Sequence, residues 1–432
     1  MSNLPPPSTQ APIDPPPTAR TLRIGTRASA LALAQTDLFR SLLARTAPTV
    51  ITAVHPMTTA GDHNQTTPLH ALATNTPGGK SLWTHELEAR LLVGELDCIV
   101  HSLKDVPTTL VPGCMVRTVG PREESRDCVV MRAGRPGSAR SLADLPAGSV
   151  VGTSSVRRAA MIRRRWPGLV IADVRGNVGT RLAKLDDATR GYDALVLAGA
   201  GMQRLGLGHR ASSWLSGSDG VLPAVGQGVL GVEFRDGDAW VRGLVDGVEE
   251  KRVGWACVAE RKLLGELEGG CSVPVGVETE WEEEEEEEEG DEEEESKQHK
   301  HKHKNEDNIN HPMDNNDNSS TPQNAEQSEP SSPSAGITNK TTKSTSSSST
   351  SATPGTLLLH ALIVSPDGRD AVAASRREHV SCDADAERCG RELASELVRK
   401  GARRILEEIY REREREKGGG EKEEGEEGGR EG

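Results

Sequence analysis

Residues 149–206 read SVVGTSSVRRAAMIRRRWPGLVIADVRGNVGTRLAKLDDATRGYDALVLAGAGMQRLG. In this stretch an apolar run leads into a turn and then into a helical pattern, three times in succession. The first pass turns at Gly152-Thr153-Ser154-Ser155 and opens a helix with Arg157 and Arg158. The second turns at Gly176-Asn177-Val178-Gly179-Thr180, flanked by Arg175 and Arg181. The third is YDALVLAGAGMQRLG. Strand, turn and helix in repetition indicate an α/β layer. The same alternation stands upstream. TLRIGTR reads as a strand, and SALALAQTDLFRSLLART as a helix with Leu31, Ala34, Leu38 and Leu42 on one face. TVITAVHPM is β-rich, SLWTHELEARLLVGE is amphipathic with Ser81 as N-cap, and CIVHSL is a short buried strand. LPAVGQGVLGVEF adds a Gly-rich turn and a strand.

Composition sets the limits of the folded part. A chain of 432 residues has room for two or three domains. With only 2 Phe, 2 Tyr and 6 Trp, aliphatic side chains must fill the cores. The formal net charge of −14 is misleading, because residues 278–295 (ETEWEEEEEEEEGDEEEE) hold 15 acidic side chains and no basic one. That run outweighs the whole imbalance, so the rest is neither acidic nor basic enough to coat nucleic acid. The polar tract that follows cannot bury enough apolar surface to offset its ordering entropy. Residues 280–355 therefore read as a disordered low-complexity insertion, and 1–20 and 417–432 as disordered ends. Beyond the insertion, TLLLHALIVSPDGRDAVAASRREHV reads as a hairpin turning at Pro366-Asp367-Gly368, and a helix with a Gly interruption follows. That is a small α+β unit.

No run of 18 apolar residues offers a membrane span, and the N-terminus lacks the charged start and apolar core of a secretory signal. Seven cysteines without CxxC pairs read neither as a disulfide framework nor as a zinc site. The expected compartment is the reducing cytoplasm. The HKHKHK tract lies within low complexity and reads as solvated, so no metal is expected.

Three groups could carry chemistry. Arg27, Arg157, Arg158, Arg175 and Arg181 all lie at strand-to-helix turns, where α/β folds bind ligands and helix N-termini favour anions. One such arginine is most often paired with a local carboxylate. The repetition points instead to a ligand with several anionic groups, which guanidinium forks suit. In HSLKDVP an apolar strand delivers Lys104 and Asp105 to its carboxyl end. Asp105 could stabilise a proton or a developing cation, though a plain Lys–Asp pair or a helix cap would look the same. In Gly269-Gly270-Cys271-Ser272-Val273-Pro274 the glycines could display a thiol as nucleophile or tether, or Cys271 could be a small buried residue. His101 reads as core. Cys98, Cys114, Cys128 and Cys257 read as structural, and Cys382 and Cys389 as incidental. GNVGT and VGQG match neither nucleotide-binding fingerprint.

Taken together, RIGTRASALALAQ, GGKSLWTHELE, HSLKDVP, GTSSVRRAA, VRGNVGTRLAKLD, LAGAGMQRLG, LPAVGQGVLGVE and LEGGCSVPVG resemble the porphobilinogen deaminase (hydroxymethylbilane synthase) family, in the family's order. The resemblance implies two similar α/β lobes, like those of periplasmic binding proteins, and a small α+β third domain. It places domain 1 at 21–120 and 221–242, domain 2 at 121–220, and domain 3 at 243–279 and 356–416. It implies one covalent dipyrromethane cofactor per chain, on Cys271. Four porphobilinogen molecules would add head to tail with loss of ammonia, and hydrolysis would release hydroxymethylbilane for heme biosynthesis. Asp105 would be the catalytic carboxylate. Lys104, Ser102, Thr153, Ser154, Ser155, Arg157 and Arg158 would hold the cofactor, and Arg27, Ser29, Arg175 and Arg181 the substrate.

The enzyme is expected to be a monomer without nucleic-acid or membrane partners. Residues 58–80, ending near Lys80 and Trp83, are expected to form a mobile lid. His85 departs from the Lys that the family often carries there and receives no role. The competing reading is a non-catalytic two-lobed binder of a polycarboxylate, which would need neither Asp105 nor Cys271. A further reading adds a basic partner recruited by the acidic insertion.

Overall fold

The first lobe opens with β1 (Thr21–Arg27), α1 (Ala30–Thr46), β2 (Ile51–Met57), α2 (His85–Leu92), β3 (Cys98–Ser102) and β4 (Cys114–Val119). The chain crosses over and builds the second lobe from β5 (Asp127–Met131), β6 (Val150–Gly152), α3 (Val156–Arg165), β7 (Val170–Ala172), α4 (Val178–Asp186), β8 (Ala194–Ala198), α5 (Gly199–Arg204) and β9 (Ser213–Leu215). It then returns as β10 (Leu230–Arg235), which inserts between β3 and β4.

The two five-stranded sheets have matching order, β2-β1-β3-β10-β4 and β7-β6-β8-β5-β9. In each, the first three strands run parallel and the fourth runs antiparallel to both neighbours. The odd strand is in both cases the one that has just crossed from the other lobe. The structure, a computed structural model, describes residues 20–58, 84–135, 137–267, 273–282 and 353–423. Cys271, Ser81, Trp83, nearly all of the expected lid and insertion residues 283–352 lie outside the described residues.

Strand patterning explains the cores. In lobe 2, Val129 and Val196 face one side of the sheet with Ile162, while Val130, Leu195 and Leu197 face the other with Leu185 and Met202. Neighbouring residues fill opposite layers because side chains alternate along a strand, and both faces are covered by helices. In lobe 1, Leu22, Ile24, Val100, Val232 and Phe234 pack against Phe39 and Leu43. Each such fully buried aliphatic contributes about 1.5–3 kcal/mol relative to exposure.

Helix α1 corrects the expected face. Its buried residues are Ala32, Gln35, Thr36, Phe39, Leu42 and Leu43, whereas Leu31, Ala34 and Leu38 are half-buried flanks. The apolar pattern misleads because two buried positions are polar and satisfied. Gln35 donates to the Ser102 hydroxyl at 2.7 Å, and Thr36 donates to the Ala32 carbonyl at 2.9 Å.

The third unit begins with α7 (Lys251–Glu266), which follows α6 (Ala239–Asp246) of lobe 1. An antiparallel sheet, β11 (Val275–Glu282), β12 (Gly355–Val364) and β13 (Ala371–Val380), is completed by α8 (Asp383–Arg399) and α9 (Ala402–Glu423). Leu357, Leu359, Ala361 and Ile363 alternate into its core, and the hairpin turns at the expected Pro-Asp-Gly site. Cys389 is fully buried in this core, not incidental.

Two expected boundaries move. β11 carries Glu280, Trp281 and Glu282 opposite Leu358, Leu357 and Thr356, because Trp281 packs on Trp255 with ring centroids 6.2 Å apart. The sheet therefore takes the first acids of what reads as insertion. The last helix runs to Glu423, past residue 416 and through Gly418, Gly419 and Gly420, an extension that helix propensity does not explain. The expected interruption is Gly401, whose φ of 103° ends α8.

Candidate active site

The parallel strands β1 and β3 end side by side at Arg27 and Ser102. From Ser102 the chain enters a single 3-10 turn, Leu103–Asp105. Leu103 is buried, and its amide donates to the Val229 carbonyl at 3.0 Å. With Leu103 fixed inward, Lys104 is left half-buried and Asp105 exposed at the carboxyl edge of the sheet. Ser29, on the same edge, caps α1 by accepting from the Ala32 amide at 3.3 Å.

In lobe 2 the three expected hydroxyls are engaged with local backbone. Thr153 Oγ1 accepts from the Ser155 amide at 3.2 Å, Ser154 Oγ donates to the Val174 carbonyl at 2.6 Å, and Ser155 Oγ caps α3. Together they shape the N-terminus from which Arg157 and Arg158 project. Both arginines are buried and converge on Asp127, each Nη2 at 2.8 Å from one carboxylate oxygen. Arg157 also donates to the Leu222 carbonyl, and Arg158 to that of Val196.

Burial alone would raise the Asp127 pKa. The two guanidiniums together outweigh it and hold the carboxyl well below its usual range. Gln227 extends the network: its amide donates to Asp127 at 2.8 Å and to the Ser125 carbonyl at 2.6 Å, and its oxygen accepts from Lys104 Nζ at 3.4 Å. A polar line thus runs from Lys104 in lobe 1 through Gln227 to Asp127 and the paired arginines.

The remaining cations gather beside it. Arg175 is buried, with burial lowering its pKa, and Arg181 donates from Nε to the Gly176 carbonyl at 2.7 Å. Burial pushes Arg181 down to about 10; Arg158 and Arg175 push the same way, while Asp105 and Asp173 oppose. Burial likewise pushes Lys104 down to about 8, with Asp105 opposing and Arg158 and Arg157 assisting. Asp105 from lobe 1 and Arg181 from lobe 2 therefore lie within electrostatic reach of one another.

The sum is a cluster of side chains with more positive charge than its own acids neutralise. Arg158 Nε is buried with no hydrogen-bond partner. A ligand bearing several carboxylates fits this deficit.

Asp127 and Gln227 are site residues that sequence reasoning missed. The faint signal for Asp127 is an acid opening an otherwise apolar strand, DCVVM; Gln227 sits in the Gly-rich turn VGQG, which carries no such mark. Arg122 was also missed. It donates to Glu260 at 2.7 Å and Thr279 at 2.8 Å, and Glu260 accepts from the Gly226 amide at 2.7 Å, fastening both crossing segments to the third unit.

His101 is core, its Nε2 3.0 Å from Glu233, and His85 is exposed. Among the described residues no group of three or more His, Cys, Asp or Glu converges on a metal position, and no helix is long and apolar enough to cross a membrane.

Residues 22–243 match the family model described as porphobilinogen deaminase, dipyromethane cofactor binding domain, and residues 255–287 match its C-terminal domain. A porphobilinogen deaminase of Yarrowia lipolytica is 38% identical over 394 residues, covering 90% of this chain and 93% of its own. One of Neurospora crassa is 49% identical over 264 residues, covering 60% and 76%. Among solved structures, the Bordetella pertussis BvgS periplasmic VFT2 domain aligns over 53% of this chain and 86% of its own, with 14% identity and a TM-score of 0.32. At that score it adds nothing to the topology described above.

Proposed function

Because this chain belongs to the porphobilinogen deaminase family, we propose that Asp105 is its catalytic carboxylate and Cys271 the covalent anchor of its dipyrromethane. The reaction joins four porphobilinogen molecules head to tail with loss of ammonia and releases hydroxymethylbilane by hydrolysis, a step of heme biosynthesis. When bound, the dipyrromethane supplies the terminal pyrrole carbon to which the first unit is added.

The chain's own residues do the rest. Lys104, Arg158, Arg175 and Arg181 hold acetate and propionate groups, with Arg27 at the adjacent strand end and Ser102 and Ser29 lining the same edge. Arg157 adds charge from beneath, where Asp127 orients it. Thr153, Ser154 and Ser155 keep the α3 N-terminus open toward the cleft. Asp105 stands where it can accept from a pyrrole N–H, stabilise the positive charge that grows on the substrate as ammonia leaves, and take up the proton released on bond formation.

The observation that carries this reading is the position of Asp105: exposed on a single 3-10 turn, within electrostatic reach of Arg181 of the other lobe, with Lys104 beside it. The test is Asp105→Asn. It should load its cofactor, seen as the added mass on the intact protein, and lose about 10²–10⁴-fold in turnover. Loading with a near-normal rate would refute the assignment. Cys271→Ser should lack the added mass. We also read the enzyme as a cytoplasmic monomer. The six described cysteines are all free, as a reducing compartment permits, and light scattering and cell fractionation test the two points.

A further inference from the structure

We propose that Arg261 is a positioning residue: it ties the Asp105 turn to the helix that leads toward Cys271. The proposal rests on the roles of Asp105 and Cys271 given above. Arg261 lies on α7, which ends at Glu266, shortly before Cys271 in the chain. Its guanidinium reaches into lobe 1, one Nη donating to the Val106 carbonyl at 3.0 Å and the other to the Pro107 carbonyl at 2.6 Å. These are the first two carbonyls after Asp105.

Proline has no N–H, so a carbonyl is the available handle at that point of the chain. A planar guanidinium can grip two successive carbonyls at once, and a lysine cannot. The turn's own closure is the Val106 amide to the Leu103 carbonyl, at 3.0 Å.

Behind the turn lies a cavity of about 440 Å³ lined by Leu103, Thr108, Val116, Cys257 and Arg261. Beside it Leu103 packs with Val116 and Cys257, and Arg261 holds the two carbonyls that follow Asp105. The preceding residue, Glu260, holds the Gly226 amide and Arg122. Two neighbouring side chains of α7 therefore clamp both the crossing segments and the catalytic turn. The helix that precedes Cys271 in the chain also sets the height of the carboxylate.

The test compares full-length Arg261→Met, Arg261→Lys, Asp105→Asn and the double variant Arg261→Met/Asp105→Asn. Cofactor loading is read by intact mass, and kcat and KM for porphobilinogen are taken per loaded molecule. Arg261→Met should keep KM within about two-fold while kcat falls roughly 10–100-fold, as for a catalytic group displaced by on the order of 1 Å. Arg261→Lys should recover part of kcat. The double variant should be no slower than Asp105→Asn alone, because a displaced group that is already absent cannot be lost twice.

A normal kcat in Arg261→Met, with only a lowered Tm, would overturn the proposal, as would a full multiplicative loss in the double variant. Where Arg261→Met loads poorly, Arg261→Lys decides: reduced kcat at unchanged KM supports the proposal, and unchanged kcat overturns it. A wild-type rate for Asp105→Asn is a separate result that removes the premise about Asp105 itself.

Discussion

Replacing Asp127 by Asn removes one negative charge that two guanidiniums share. Arg157 and Arg158 are 5% and 6% exposed and Asp127 is 1% exposed, and each arginine sits 2.8 Å from a separate carboxylate oxygen. Asn keeps the shape and one acceptor but strands two buried cations. Breaking a buried pair by deleting one partner costs about 3–5 kcal/mol, and that is the loss expected in urea unfolding at neutral pH.

The exposed Arg40–Asp37 pair, at 2.9 Å, is the control: Asp37→Asn should cost about 0–1 kcal/mol, as surface pairs do. The pH dependence follows from the direction of the Asp127 shift. A carboxyl held low contributes fully above its unfolded pKa and loses that contribution only as pH falls through its folded value. The gap between wild type and Asp127→Asn should therefore be constant from about pH 5 to 8 and close only in strong acid. A gap below about 1 kcal/mol, or one that changes between pH 5 and 8, would refute the claim that Asp127 is the buried counter-charge.

Two other outcomes follow from the same geometry. Lys104, near 8, is charged below that pH and neutral above it. KM for porphobilinogen should therefore rise as pH climbs past 8, and Lys104→Arg should flatten the rise; an equally steep profile in that variant would point to another group. At Gly226 the φ is +68°, and an added Cβ would lie 2.9 Å from Leu103 Cγ. Gly226→Ala should destabilise by about 1–3 kcal/mol and lower kcat, because Leu103 anchors the Asp105 turn. Stability and rate both unchanged would show that the turn tolerates the shift.

The legible parts of the molecule were those with local signals. The strand–turn–helix passes at 149–206 were readable because their period and turn residues are set within each segment, and the hairpin because Pro-Asp-Gly can do little else. The Asp105 turn was half legible: HSLKDVP marks a strand that stops, but nothing in it says which residues gather around it. Gln35 and Thr36 lie off the apolar stripe that marks Leu31, Ala34, Leu38 and Leu42, and their burial makes sense only with their partners, Ser102 and the Ala32 carbonyl. Asp127 and Gln227 were invisible for the same reason. Their meaning lies in residues some 30 and 100 positions away, brought together by the crossing of the chain.

The matching strand orders also carry a consequence for synthesis at the ribosome. All five strands of the second lobe lie between residues 127 and 215, so that sheet is complete while translation is still under way. The first lobe, begun earlier, has to wait for Leu230–Arg235 before β3 and β4 have the neighbour that separates them. The later-encoded lobe can thus finish first. A released fragment ending near residue 220 would hold one complete sheet beside an incomplete one, with bare strand edges open to unwanted partners.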